Sequence, residues 1–465
     1  MKPARVVLSG VVAAVLLSTV SCTVGGGTLT YRQALPPVLQ QQVWYLSPQE
    51  LKPAAEKPRL KAEPKYEGAP VYFLIDLGEK GSPPHVAAYD PKGGGGKGCV
   101  YFDLDQDGDL AEEEPILPQP GVDGNFGPIA VRLKRGGSVG LYHCWMDRRP
   151  SMALTGVVKS GEASTSISVA ARFAPQSWRL RPGGMNVGEI TFGGKTYQAA
   201  TADAWTNGRF NDICWSRLGQ GDILLVDWNG DGKFGRNADE CVMVGERYWR
   251  NGEWYRLHIS TDGTKVSFSS RDFGLAPLLT GQEKFWMQVT SQSNTGSAQI
   301  EGTGGRVDLP VDQYRLHLCW VERNDAQGNT WRAESLYNGP YPRFQVNVGE
   351  NRCLFGPPFT VSVKPSSEGP YHPGQRVEFA AALTGAEGKW YRLTRNGQQV
   401  PGPRTVLRDS SGKEVGSLQF EYPSQDAALG SWMVPTNVSG KVSATFSLEA
   451  GPFAWKAEDL VLEVK

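Results

Sequence analysis

The segment that most constrains this chain is Phe102–Pro115, which reads F-D-L-D-Q-D-G-D-L-A-E-E-E-P. It places seven carboxylates in the twelve residues from Asp103 to Glu114. At neutral pH these groups repel, and one close pair near a protein surface costs on the order of a few kcal/mol. A hard dication removes that cost because it prefers oxygen ligands. We therefore predict a calcium site here, and the alternative is a solvated acidic turn.

The spacing of these residues matches a twelve-residue calcium loop. Gly108 stands at position 6, where the chain turns sharply, and Leu110 stands at position 8, where the side chain packs inward. The segment resembles an EF-hand loop at each diagnostic position. That resemblance implies oxygen ligands at positions 1, 3, 5, 7 and 12, namely Asp103, Asp105, Asp107, the backbone carbonyl of Asp109, and Glu114.

The sequence around the loop departs from a helix–loop–helix. Cys99–Phe102, directly before it, is β-branched and aromatic and predicts a strand. Pro115, directly after it, limits any following helix. We expect the loop on a strand scaffold, which argues against a calmodulin-like switch because such a switch opens a pair of helices.

A second copy of the pattern begins 124 positions later, at Asp227. Ile223–Val226 predicts a strand, and Phe234 fills the apolar position 8. Position 12 is Ala238, which has no ligand atom, so Asp239 or Glu240 would have to close the site. The candidate ligands are Asp227, Asn229, Asp231, the carbonyl of Lys233, and Asp239. A turn stabilised by Asx hydrogen bonds is the alternative.

A third segment, Asp203–Asp212, echoes the same pattern between the two loops. Trp205 stands where a ligand is expected, so we predict a degenerate structural turn. As an alternative, the segment contributes Asp203 or Asp212 as a ligand to a neighbouring metal site.

The first 22 residues have the organisation of an export signal. Lys2 and Arg5 precede an apolar stretch, Val6–Val20, that is short for a membrane span. The end of the segment resembles a bacterial lipoprotein signal with Cys22 as the lipidated residue, although Thr19 replaces the usual leucine. Ordinary cleavage is the alternative. We expect a protein of the bacterial cell envelope, in the periplasm or on the outer surface, with residues 23–64 as a tether containing a short helix near 37–46.

Composition favours a mainly β protein of several antiparallel sandwich or sheet domains. The 465 residues include 56 glycines, 32 prolines and 14 tryptophans, which suits short strands joined by turns. The 48 basic and 48 acidic residues balance, which argues against nucleic acid or an anionic membrane as the main partner. Six cysteines besides Cys22 predict up to three disulfides, with Cys214–Cys241 the preferred pair, or buried free thiols.

We predict four β units after the tether, at residues 65–182, 183–285, 286–357 and 358–465. The first two, each with one acidic loop, resemble exported bacterial lipoproteins of uncharacterised function through Gly193-Gly-Lys-Thr-Tyr197 and the D-x-N-x-D-G loop. Gln313-Tyr-Arg-Leu316 followed by F-x-V-x-V-G resembles transthyretin-like sandwiches, which implies a spacing role. The period-two pattern of Val442–Leu448 favours an immunoglobulin-like sandwich.

No sequence pattern supports an enzyme. Gly136-Gly-Ser-Val-Gly140 fits a nucleophile elbow, but strand-like residues on both sides predict a hairpin turn. Gly93–Gly98 fits G-x-G-x-x-G but enters a strand rather than a helix. We expect a non-catalytic calcium-binding protein with interaction modules. The alternatives are a hydrolase with an unrecognised site and a carbohydrate- or surface-polymer-binding protein that uses Trp205, Trp228, Trp249 and Trp254.

Overall fold

The fold consists of strands and connecting turns. A computed structural model describes residues 23–33, 48–120, 124–152, 173–213, 221–234, 240–293, 296–337, 340–422 and 427–465. Within these ranges there is no helix, and the strands form several mostly antiparallel sheets. The predicted mainly β class is confirmed.

The N-terminal half holds fifteen strands. They are β1 Thr23–Gln33, β2 Gln49–Leu51, β3 Val71–Ile75, β4 His85–Asp90, β5 Cys99–Phe102, β6 Asn125–Arg135, β7 Ser138–Met152, β8 Phe173–Pro182, β9 Gly184–Phe192, β10 Lys195–Ala202, β11 Ile223–Val226, β12 Cys241–Met243, β13 Arg247–Arg250, β14 Glu253–Ile259 and β15 Lys265–Ser270.

The C-terminal half holds eighteen more strands. They are β16 Leu275–Leu279, β17 Lys284–Ser291, β18 Ser297–Thr303, β19 Arg306–Pro310, β20 Asp312–Asn324, β21 Thr330–Ser335, β22 Arg343–Val346, β23 Asn351–Arg352, β24 Phe359–Pro365, β25 Arg376–Thr384, β26 Trp390–Arg395, β27 Gln398–Gln399, β28 Arg404–Arg408, β29 Glu414–Gln419, β30 Ala428–Met433, β31 Gly440–Ser447, β32 Trp455–Ala457 and β33 Val461–Val464.

The first unit consists of two small sheets around one core. The sheet β3-β4-β5 ends at the first acidic loop, and the sheet β2-β8-β7-β6 contains the hairpin around Gly136 and Gly137. Both glycines have positive φ, as the predicted hairpin turn requires. The core contains side chains from both sheets, among them Phe73, Phe102, Val131, Tyr142 and Trp178.

The second unit is built on an eight-stranded sheet in the order β12-β11-β10-β9-β1-β15-β14-β13. Its strand β11, Ile223–Val226, is buried along its whole length because clusters cover both faces of the sheet. This explains the continuous apolar run that precedes the second acidic loop.

Strand β1 corrects the expectation that residues 23–64 form a tether. It lies between β9 and β15 in the eight-stranded sheet. Its glycines permit this, because a Cβ on Gly25 would lie 2.0 Å from the carbonyl oxygen of Thr191 and one on Gly27 would lie 2.1 Å from that of Glu189. The run of glycines therefore provides close strand contact rather than flexibility. The helix expected near 37–46 falls outside the described residues.

Eleven of the C-terminal strands form one large sheet, and the other seven form two smaller sheets, β19-β16-β23 and β29-β28-β31-β33, that share its core. An eleven-stranded sheet follows the path β18-β17-β20-β21-β26-β25-β24-β32, with β22, β27 and β30 paired beside it. The pairing of β21 with β26, from Trp331↔Arg395 to Ser335↔Tyr391, joins the segments predicted as transthyretin-like and immunoglobulin-like. The hydrophobic cluster likewise runs across both segments.

The cysteines do not form the predicted set of three disulfides. Cys99, Cys144, Cys319 and Cys353 are buried free thiols. Cys241 is also buried, and its suggested partner Cys214 lies outside the described residues, as does Cys22. In the part of the chain that the structure describes, no helix is long and apolar enough to cross a membrane.

Candidate metal centre

The first acidic loop begins where β5 ends, and neighbouring strands hold its first residue in place. The backbone N–H of Asp103 donates to the carbonyl of Val86 on β4 at 2.9 Å. His85, on the same strand, places Nδ1 2.7 Å from the carbonyl oxygen of Asp103. Asp103 is therefore buried, with only 2 % of its surface exposed.

The turn itself has the backbone shape that the spacing predicts. Gln106 at position 4 and Gly108 at position 6 both have positive φ, at 64° and 79°. The N–H of Gly108 donates to Asp103 Oδ2 at 3.2 Å, and the N–H of Asp109 donates to Asp107 Oδ1 at 2.7 Å. These bonds curl the chain so that the acidic side chains face one another.

Core packing of Leu110 and two backbone hydrogen bonds to residues 61 and 62 hold the second half of the loop in place. Leu110 is fully buried against Val86 and Ala88 of β4, which confirms the inward position predicted for it. The N–H of Leu110 donates to the carbonyl of Ala62 at 3.0 Å, and the N–H of Lys61 donates to the carbonyl of Gly108 at 2.8 Å. An extended segment from the predicted tether thus pairs with the loop.

Three carboxylates converge in the loop. One oxygen each from Asp103, Asp105 and Glu113 lies within 4.8 Å of the others. Asp103 Oδ1 is buried and has no hydrogen-bond partner among the described residues. Glu113 Oε1 also accepts a hydrogen bond from the N–H of Leu104 at 2.8 Å, which holds it over the start of the loop.

A second, more exposed group adjoins the first. Asp105, Asp107 and Glu112 also place one oxygen each within 4.8 Å of one another. Asp107 Oδ2 is 2.8 Å from Lys61 Nζ, so this carboxylate already has a cationic partner. The buried group around Asp103 is consequently the stronger candidate for an ion.

Glu114, predicted to close the loop at position 12, is exposed and belongs to neither group. The reason is the chain direction after the loop. Residues 111–113 turn without forming a helix, and Ile116 then pairs with Val100 through bonds of 3.0 and 2.8 Å. This path brings Glu113 inward in place of Glu114. The side chain of Asp109 accepts a hydrogen bond from Ala111 N at 2.9 Å and also lies outside both groups.

The electrostatics of the loop favour neutralisation by a cation. Burial raises the pKa of Asp103 and of Glu113, and the charge of Asp107 raises the pKa of Glu112. The hydrogen bond from Lys61 lowers the pKa of Asp107. Bringing these carboxylates together is thus unfavourable except where a positive charge is near.

The second loop adopts the same turn. Gly230 and Gly232, at positions 4 and 6, both have a φ of 77°. Their N–H groups donate to Asp227 Oδ1 and Oδ2 at 2.8 and 2.9 Å. Asn229 Oδ1 accepts from Asp231 N, and Asp231 Oδ1 accepts from Lys233 N, each at 2.8 Å.

The closing residue of the second loop is not among the described residues. Asp239 falls in the undescribed segment 235–239. Glu240 is 3 % exposed, and its backbone carbonyl accepts from Val226 N at 2.9 Å. Within the described ranges, no group of three acidic, histidine or cysteine side chains converges here. Phe234 at position 8 packs beside Ile223 and Leu225, as expected.

The third segment is also a loop of this shape, closed by protein groups. Positions 4 and 6 are Thr206 and Gly208, with φ of 56° and 80°. Asp203 at position 1 is fully buried; its Oδ2 accepts from Gly208 N at 2.6 Å and from the hydroxyl of Tyr142 at 2.8 Å. Both oxygens of Asp203 are therefore occupied, since Oδ1 accepts from Asn207 N at 3.3 Å. This arrangement supports the predicted structural turn.

A buried carboxylate that sequence reasoning missed lies next to this turn. Asp222, one residue before β11, accepts hydrogen bonds from the N–H groups of Ala204 and Asp212 at 3.0 and 2.7 Å. Burial raises its pKa well above the ordinary value, and burial also raises the pKa of Asp203 to about 6. No local pattern identifies Asp222, because its partners are ten and eighteen residues away.

The four tryptophans proposed for sugar stacking differ in their surroundings. Trp254 is buried and donates to the carbonyl of Asp308 at 2.8 Å. The guanidinium of Arg250 covers Trp228 at 4.3 Å from the ring centroid. Trp205 and Trp249 are half-buried and line two separate cavities.

Comparison with known proteins gives no family. No protein-family description and no curated protein matches the chain. Among solved structures, the Bacillus anthracis TIE protein aligns over 90 % of this chain and 72 % of that chain, with 9 % sequence identity and a TM-score of 0.12. A similarity at that level carries no argument about fold or function.

Proposed function

We propose that this chain is a non-catalytic β protein of the cell envelope whose first acidic loop binds calcium. The observation that carries the proposal is Asp103 Oδ1, a buried carboxylate oxygen with no hydrogen-bond partner among the described residues. Leaving such a group unsatisfied costs about 1–3 kcal/mol or more. An ion held by Asp103, Asp105 and Glu113 would offset that cost.

The choice of calcium rests on ligand type and spacing. Carboxylate oxygens suit hard cations, and calcium accepts irregular sets of six to eight oxygens at about 2.3–2.6 Å. The three carboxylate oxygens of the first group lie within 4.8 Å of one another, close enough to share one calcium ion. Magnesium demands a near-ideal octahedron at about 2.0–2.1 Å and gives up its water ligands reluctantly, so it seldom occupies a site made mainly of protein oxygens.

The role that we propose for the ion is structural. The loop joins β5 to an extended segment, and no helix flanks it within the described residues. Extracellular calcium sites have dissociation constants of about 0.1–1 mM, so about 1 mM calcium would add roughly 0.4–1.4 kcal/mol of stability per site. The second loop, with Asp227, Asn229 and Asp231 on the same turn, is proposed as a second site.

Export and lipid attachment through Cys22 remain part of the proposal. They rest on the signal-like residues 1–22 and on the absence of other apolar segments long enough to span a bilayer. Because β1 begins at Thr23, a lipid on Cys22 would join the molecule next to a central strand of the eight-stranded sheet. The protein would then lie close to the membrane surface.

Thermal unfolding tests the calcium proposal. Protein stripped with a chelator should melt at a lower temperature, and calcium should restore the higher value while equal magnesium restores it poorly. Equal melting curves with chelator, calcium and magnesium would refute a structural role for the loops.

A further inference from the structure

One face of the C-terminal sheet carries tryptophans that do not enter the core. On β17, Phe285, Met287 and Val289 are fully buried in the core, so the alternate residue Trp286 points to the opposite face. Trp286 pairs in register with Trp320 of β20, and both side chains are half-buried. Directly opposed residues have Cβ atoms about 4.5–5.5 Å apart, so the two tryptophans are neighbours on this surface of the sheet.

A cleft of about 420 Å³ lies at one end of this surface, where β13 contacts β18. Trp249 of β13 and Trp286 of β17 line it, together with the polar side chains of Asn251, Gln299 and Glu301. Its volume is within the range of about 300–1,000 Å³ that is common for ligand sites. The combination of indoles with amide and carboxylate groups offers both stacking and hydrogen bonding.

The wall formed by Trp249 is held in position before any ligand arrives. Its ring lies 5.3 Å from that of Trp254, centroid to centroid. Trp254 is itself anchored by the hydrogen bond from its Nε1 to the carbonyl of Asp308 at 2.8 Å. A pre-positioned aromatic wall lowers the entropy cost of binding.

The surface continues from the cleft across neighbouring strands to a second cavity of about 380 Å³. The guanidinium of Arg332, which lines that cavity, lies 4.3 Å from the ring centroid of Trp320. Five strands contribute one residue each to a continuous row, and at about 4.8 Å per strand the row is about 19 Å long. The row consists of Glu301, Trp286, Trp320, Glu334 and Arg392. We call this row, together with Trp249, the aromatic face.

Five charged side chains along this face, on β17, β20, β21 and β26, form ion pairs with one another. Glu322 is 2.6 Å from Lys284 and 2.7 Å from Arg332, and Arg392 is 3.1 Å from Glu334. A surface for nucleic acid or another polyanion needs cations that are free to pair with the ligand. Paired charges around partly exposed indoles instead suit an uncharged ligand with apolar ring faces and many hydroxyl groups.

We propose that the aromatic face binds a neutral polysaccharide. Trp249 and Trp286 stack against sugar rings in the cleft, and Asn251, Gln299 and Glu301 bond to hydroxyl groups. The length of the row favours a polymer over a single sugar. This inference is independent of calcium, and it replaces the buried Trp254 and the covered Trp228 with Trp286, which lines the cleft beside Trp249, as a candidate stacking residue.

Affinity electrophoresis of the full chain in native gels containing neutral glucan, xylan or mannan tests the proposal, with acidic polygalacturonate as the contrasting polymer. At least one neutral polymer should retard the protein, and Trp286→Ala should weaken binding by at least 10-fold. Trp455→Ala is the matched control, because Trp455 is also half-buried but lies on β32 at the far edge of the sheet. It should bind like the parent chain.

Melting temperatures establish that the variants fold. If Trp286→Ala is unfolded, the double variant Asn251→Ala with Gln299→Ala removes hydrogen-bonding groups from the cleft and should also weaken binding. The proposal is overturned if no neutral polymer retards the protein, if only the acidic polymer does, or if a folded cleft variant binds as tightly as the control.

Discussion

Replacing Asp103 by asparagine removes the charge at the centre of the proposed calcium site while preserving the size of the side chain. The carboxylate is 2 % exposed, and its Oδ1 has no partner among the described residues, whereas Oδ2 accepts from Gly108 N. The ion would satisfy one buried acceptor, an interaction of about 1–3 kcal/mol. Asp103→Asn should therefore weaken calcium binding at the first loop by about 5- to 150-fold.

Calorimetric titration of the chelator-treated protein at pH 7 measures this change. The matched control is Asp109→Asn, because the Asp109 carboxylate lies outside the converging groups and caps Ala111 N at 2.9 Å. The control should change calcium affinity much less than Asp103→Asn. If Asp103→Asn retained the parent affinity and stoichiometry, the first loop would not be held by an ion at this carboxylate.

Three further predictions concern other parts of the molecule. Gly25→Ala places a Cβ 2.0 Å from the Thr191 carbonyl oxygen and should lower the free energy of unfolding by about 3 kcal/mol or more. The control Gly274→Ala places its Cβ in open space and should change the free energy of unfolding by less than about 0.5 kcal/mol. Equal urea midpoints for the two variants would contradict the placement of β1. Burial raises the pKa of Asp203 from 3.8 to about 6. The folded state therefore holds the proton more tightly, and stability should fall by on the order of 3 kcal/mol as pH rises from 4 to 7. Asp203→Asn should make that pH slope shallower, although the buried Asp222 contributes a slope of the same sign, and an unchanged slope would refute the assignment. Cys22→Ser should shift the protein from the membrane fraction to the soluble fraction of an expressing bacterium, and identical fractionation would argue against lipid attachment.

The acidic loops were predictable because their determinants are local. β5 and β11 occupy the ranges expected from their β-branched and aromatic residues. The glycines at position 6, Gly108 and Gly232, adopt positive φ, and the apolar residue at position 8 packs inward in both loops. Each of these features depends on a few consecutive residues, so the spacing alone is informative.

Features that depend on distant chain segments were not predictable. Glu113, and not Glu114, converges with Asp103 in the first loop. The reason is that the chain returns after the loop and Ile116 pairs with Val100, so no helix follows. The glycines of β1 predict a flexible segment, but in the structure they lie in a strand between β9 and β15. Asp222 acquires its role only through the turn that contains Asp212. In each case a chain segment distant in sequence determines the position of the residue, and no local sequence pattern predicts that position.

The most direct test of the account is a crystal structure of the protein grown with calcium, using anomalous scattering to locate the ion. The account predicts a calcium peak bonded to Asp103 Oδ1 and to oxygens of Asp105 and Glu113. A map in which water alone contacts Asp103 Oδ1, with no ion among those three carboxylates, would contradict it.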